Sequence, residues 1–137
     1  MEEQLISFET AQLAKTKGFN WDCQNSYDKN GEIDNSVDLN GELVFTQESF
    51  LSAEENGYSV YAAPTQSLLQ KWLRDVHNIE INISQNINKH VEYFYFPSLI
   101  TLAPNKLSLL EAEIEGTYFK YEEALEKGLT EALKYIS

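Results

Sequence analysis

Between Thr65 and Ile83 the spacing of apolar residues changes period within a single short segment. Leu68, Leu69, Trp72, Leu73 and Val76 fall on one stripe at helical spacing, with Gln66, Gln70, Lys71, Arg74 and Asp75 opposite. Ile79-Glu80-Ile81-Asn82-Ile83 then alternates strictly, as in a strand with one face in a core. The segment predicts a helix over 65–77, capped by Thr65 just after Pro64, that runs almost directly into a strand over 79–83. A chain with that junction must combine helix and sheet, which excludes purely helical and purely stranded folds.

Two more helices are predicted around it. Ser7 fits an N-cap, Phe8, Ala11 and Ala14 repeat at helical spacing, and Gly18 follows Lys15 and Lys17 as a stop, giving a helix over 7–17. Leu125, Leu129, Ala132, Leu133 and Ile136 line one side of a helix over 121–136. Glu122, Glu123 and Glu126 come early in it and Lys134 late, which suits the helix dipole, and Glu123 and Lys127 form an i, i+4 pair. Gly128 interrupts this helix at a cost of about 1 kcal/mol against Ala, which close packing on a neighbour would offset.

Further strands are predicted over 58–61, 91–96 and 112–119, and Asn30-Gly31 and Asn40-Gly41 predict tight hairpin turns. The stretch 46–57 reads as a polar loop. Helices and strands do not alternate, so the order predicts an α+β fold, an antiparallel sheet packed with about three helices. The length of 137 residues fits a single domain over 1–137. No internal repeat and no linker rich in Pro or Ser is evident.

Apolar residues make up 42% of the chain, which argues against disorder. The single Cys excludes an internal disulfide framework and fits a reducing, cytoplasmic setting. Met1-Glu2-Glu3 is acidic where a signal peptide is basic, and the apolar stretch from Val91 to Pro104 is too short for a membrane span of about 20 residues. The net charge is −12, with the bases scattered and only one Arg, so direct nucleic-acid binding is not expected. The acids concentrate over 20–57, where nine of them accompany the single base Lys29. That region is either a solvated face or a surface that meets a basic partner or imitates a phosphate backbone, with Asp28, Glu32, Asp34 and Asp38 as its candidate binding residues.

Asp28-Lys29-Asn30-Gly31-Glu32-Ile33-Asp34 looks like the middle of an EF-hand loop. With Gly31 at the sixth loop position, the first ligand is Ser26 and the twelfth Val37, where calcium needs a bidentate Glu. Turn chemistry predicts a hairpin between Tyr27 and Ile33 instead. His77, His90 and Cys23 lack metal-site spacing, and no phosphate-cradling or hydrolase-elbow motif occurs, so no cofactor is expected. Cys23 reads as a small core residue, and His77 as a capping residue at a helix C-terminus, where a cation favours the dipole. Glu113 and Glu115 share a strand face, where solvated edge charge competes with acid–base chemistry. Tyr93-Phe94-Tyr95-Phe96 is apolar on both faces, which fits a central strand covered by helices on one side or an interface.

Three strings resemble a set of short, functionally uncharacterised proteins encoded by bacteriophages and mobile elements of Bacteroidota. They are Thr10 to Phe19, the run from Ala63 to Ile79 (APTQSLLQKWLRDVHNI), and the run from Tyr121 to Ile136. The Tyr-x-x-x-Gly hairpin from Tyr27 to Gly31 is similar too. This chain departs at Lys120, where a Thr cap is expected, and is longer over 35–57. The resemblance implies a phage or prophage gene expressed in a bacterial cytoplasm, and it assigns no residue a role. Three functions follow. The first is a small non-enzymatic binding protein that modulates a host protein with a basic surface. The second is a self-assembling structural component that buries the face from Tyr93 to Phe96 as a homo-oligomer. The third is an enzyme whose site gathers distant residues such as Cys23, His77 and a carboxylate.

Overall fold

A computed structural model describes residues 4–34, 55, 57, 60–102, 109–114 and 116–136. The fold is α+β, with three helices and two three-stranded antiparallel sheets among the described residues. It comprises two compact units, Met1–Thr65 and Gln66–Ser137.

In the first unit, α1 (Phe8–Thr16) starts where Ser7 Oγ accepts the Thr10 N–H at 3.2 Å, and it turns off at Gly18, φ +92°. Its inner face buries Thr10, Ala11 and Ala14. Three short strands, β1 (Ser26–Tyr27), β2 (Ile33–Asp34) and β3 (Tyr61–Ala62), form a sheet in the order β2-β1-β3. Phe8 joins helix to sheet, its ring 5.5 Å from both Tyr27 and Tyr61. The buried Tyr27 hydroxyl donates to the Ile6 carbonyl at 2.6 Å, and the Ile6 N–H donates to the Pro64 carbonyl at 3.0 Å. The segment 27–33 forms the hairpin that turn chemistry predicts. The second Asn-Gly pair, Asn40-Gly41, lies outside the described residues.

The second unit opens with α2 (Gln66–His77), which buries Leu69, Trp72 and Leu73. The predicted stripe is too wide at its ends, since Leu68 is half-buried and Val76 exposed. Gln66, placed by sequence on the polar face, is buried instead. Its Nε2 donates to the Glu122 carbonyl at 2.9 Å and to Glu126 Oε1 at 3.1 Å. Asn78, φ +57°, ends the helix in the left-handed region, a common role for Asn, and the next residue begins a strand.

That strand, β4 (Ile79–Ile87), pairs with β5 (Tyr93–Leu102), which pairs in turn with β6 (Leu109–Glu113), all antiparallel. β4 and β5 are longer than alternation alone predicts, and β6 lies N-terminal to the expected 112–119. The strand expected over 91–96 starts at Tyr93 instead and continues through Pro97 to Leu102. The Asn88 N–H bonds the Glu92 carbonyl across the hairpin, so even-numbered residues of β4 and β5 bond to each other and odd-numbered ones turn away. The odd residues of β5 accordingly bond on the far side: Tyr95 exchanges bonds with Tyr118 at 2.7 and 3.0 Å, and the Pro97 carbonyl accepts from Ile114 at 3.3 Å. The donor missing at Pro97 therefore falls just past the Ser98–Glu113 pair that ends the β6 ladder.

The last helix, α3 (Tyr121–Tyr135), packs on the sheet face that carries Ile81 and Pro97. Gly128 makes this approach possible: a Cβ there would lie 2.7 Å from Ile81 Cγ2 and 3.5 Å from Pro97 Cβ, the close packing that its position predicts. Ala124, Leu125, Leu129, Ala132 and Leu133 of α3 complete the core with Ile79, Ile81 and Leu99. Lys120 precedes the helix without a side-chain cap. Lys127 pairs not with Glu123 but with Glu131, at 2.9 Å, and Lys134 reaches the same carboxylate at 3.4 Å. These hydrogen bonds hold the Glu131 carboxyl below its ordinary range.

Candidate functional site

The end of the β4–β5 hairpin carries the largest concentration of exposed apolar side chains among the described residues. Ile87 and Tyr93 face each other across the two strands and are 48% and 53% exposed. Val91, in the connecting loop, is 77% exposed. Tyr95 lies one pair closer to the core on the same face as Tyr93. Its hydroxyl accepts from Gln85 Nε2 at 3.4 Å, and its ring meets Tyr121 edge-on at 5.9 Å. Tyr121 is the first residue of α3 and is 44% exposed. Ile87, Tyr93, Tyr95 and Tyr121 thus form an aromatic shelf where the hairpin meets the start of the helix. Glu92, Glu122 and Glu123, all exposed, are the acidic residues next to it in sequence.

Such a shelf suits recognition. Tyr buries a large rigid area at low conformational cost and keeps a hydroxyl for hydrogen bonding. The run from Tyr93 to Phe96 does lie in the central strand of its sheet. The odd residues face α3, while Phe94 and Phe96 stack edge-on at 5.1 Å on the opposite face, half-buried. The sequence signals for Ile87 and Tyr121 are weaker. Ile87 continues the odd-numbered isoleucines after a polar gap at Gln85, and Tyr121 is the first residue of a helix whose apolar stripe runs elsewhere.

Of the four acidic candidates, Asp28 and Glu32 have described side chains. The Asp28 carboxylate folds back on its own loop, its Oδ1 accepting the N–H groups of Asn30 at 2.8 Å and Glu32 at 3.0 Å. Glu32 closes the same loop by accepting the Asp28 N–H through its carbonyl at 2.9 Å, with its side chain exposed. Asp34 stands in β2 opposite Ser26. Asp38 lies outside the described residues, as does Glu115.

Cys23 is buried and its Sγ donates to the Asn25 carbonyl at 3.2 Å. Burial pushes its thiol up, which disfavours the thiolate that a nucleophile requires. His77 ends α2 as expected, but its ring sits edge-on to Trp72 at 4.6 Å, and burial pushes its pKa down. That burial disfavours the charged imidazolium. Among the described residues no three His, Cys, Asp or Glu converge as a metal site, and no helix is long and apolar enough to cross a membrane. No family model, no curated protein and no solved structure matches this chain.

Proposed function

We propose that the chain is a small acidic, non-enzymatic binding protein that engages a host protein, encoded by a phage or prophage and acting in the bacterial cytoplasm. The observation that carries the reading is the shelf of exposed Ile87, Tyr93 and Tyr121 around half-buried Tyr95. Tyrosines at the centre of an interface with charges around them match the usual anatomy of a binding patch. Glu92, Glu122 and Glu123 supply an acidic rim for a partner with a basic surface. The acids of the first hairpin add long-range attraction, which raises association rate more than affinity. The phage setting is supported by the resemblance of the helix strings alone.

The test is affinity capture from nuclease-treated bacterial lysate, read by mass spectrometry. The chain should retain one stoichiometric protein. Tyr93→Ser combined with Tyr121→Ser should lose it, while Asp28→Asn combined with Glu32→Gln should keep it. Equal capture by the double tyrosine variant, or no capture by the unmodified chain, would overturn the reading.

A further inference from the structure

Natural sheets blunt an exposed edge with charge, proline or a covering element. The outer edge of β4 is treated unevenly in this respect. Its odd-numbered residues direct their backbone N–H and C=O groups away from β5. Gln70 Nε2 donates to the Ile81 carbonyl at 3.4 Å, which covers the inner end. Asn86 Oδ1 accepts the N–H of Ile87 at 2.8 Å, which covers one group near the outer end. Between them lie Ile83 and Gln85. Among the described residues no strand pairs with this edge. From Ile81 to Asn88 the strand has no charged residue and no Pro, in a chain of net charge −12.

We propose that this edge pairs with the same edge of a second copy, antiparallel and centred on Gln85, so that two three-stranded sheets become one continuous sheet. The register follows from the side chains. Centring on Gln85 sets Ile83 opposite Ile87 of the second copy, an apolar β-branched pair, and Ser84 opposite Asn86. It also keeps the paired stretch from Ile83 to Ile87 free of charge, with Glu80 of one copy lying toward the turn that holds Lys89 and His90 of the other. A shift of one pair toward the loop carries Ile83 past the strand end at Ile87 and leaves it opposite the turn, and a shift the other way drives the pairing into Gln70. All the groups used are odd-numbered, so the internal ladder is left intact. The Asn86 side chain is exposed, and its amide must swing off the Ile87 N–H to complete the pairing. The pairing goes beyond the host-binding reading and does not depend on it.

The experiment uses the purified full chain alone, with mass in solution measured across the micromolar range. A concentration-dependent dimer is expected. Gln85→Pro removes an outward N–H that β5 does not use, so circular dichroism should be unchanged while dimerisation weakens by about tenfold or more. Gln85→Lys, which sets two like charges on the two-fold axis at an exposed position, should do the same, and Asn86→Ala should tighten the dimer. Gln85→Cys should cross-link to itself under mild oxidation, since Cα atoms of a hydrogen-bonded pair lie about 5.5 Å apart, within disulfide reach. Asn86→Cys should not, because its opposite number is Ser84. A monomer at every concentration, a dimer unaffected by Gln85→Pro and Gln85→Lys, or equal cross-linking at both cysteine positions would overturn the proposal.

Discussion

The loops 28–32 and 88–92 close two hairpins with the same set of hydrogen bonds and differ at the residue that most needs to be glycine. In each, the first residue bonds the last across the hairpin: Asp28 to Glu32 at 2.9 Å, Asn88 to Glu92 at 3.0 Å. In each, the first carbonyl accepts the N–H of the fourth residue at 3.0 Å. The first side chain accepts two further N–H groups in both, Asp28 from Asn30 and Glu32, Asn88 from His90 and Glu92, at 2.8 to 3.0 Å. This is a type I turn followed by a left-handed residue, a common three-residue hairpin connection. The left-handed seat holds Gly31 at φ +80° in one and Val91 at φ +61° in the other. The frame is therefore set by the Asx side chain at the first position, and the fourth residue adapts to it. Gly31 is required twice over, by its backbone and because a Cβ there would lie 2.8 Å from the Phe8 ring. Val91 has open solvent beside it and carries only the backbone strain.

Exchanging the residues tests this difference most severely. Gly31→Val should destabilise by about 3 kcal/mol, combining left-handed strain of about 1–2 kcal/mol with overpacking against Phe8. A loss under about 1 kcal/mol in urea unfolding would mean that Phe8 moves aside freely. Removing the shared acceptor comes next. Asp28→Ala and Asn88→Ala should each cost about 1 kcal/mol, and clearly unequal losses would show that the two frames are not equivalent. Val91→Gly should stabilise by about 0.5–1 kcal/mol, because relief of strain exceeds the entropy that Gly loses on folding. A lower thermal midpoint for that variant would give the valine a structural role that its exposure does not suggest. The smallest effects should come from Asp28→Asn and Asn88→Asp, within about 0.5 kcal/mol of the parent, since either side chain offers the needed oxygen.

The first loop was readable because Asn30-Gly31 is a strong turn signal. The second loop carries no glycine, and its residue pattern points to a strand starting at Val91. The shared pattern, Asp28-Lys29-x-x-Glu32 and Asn88-Lys89-x-x-Glu92, was available and carries the mechanism better than the glycine does. Elsewhere, local chemistry made Ser7, Gly128 and the switch from helix to strand at Asn78 legible. The strand expected over 91–96 runs on through Pro97, because whether a proline breaks a strand depends on which neighbour its missing N–H would have met, and that is a property of the assembled sheet. Gln66 misled in the same way, since a polar residue can be buried once a later helix supplies Glu122 and Glu126 as acceptors. Half of the shelf was visible as the run from Tyr93 to Phe96. Tyr121 joins it only through tertiary structure.

The alternation of bonding along β4 also has a kinetic signature. Amide protons of Asn82, Ser84 and Asn86 point into the ladder and exchange with solvent only when the hairpin opens. Those of Ile83 and Gln85 point outward and should exchange on a far shorter timescale. Deuterium uptake along this strand should therefore rise and fall with a period of two residues in dilute protein. As concentration increases, the fast positions should slow toward their neighbours, so that the edge records its own occupancy one amide at a time.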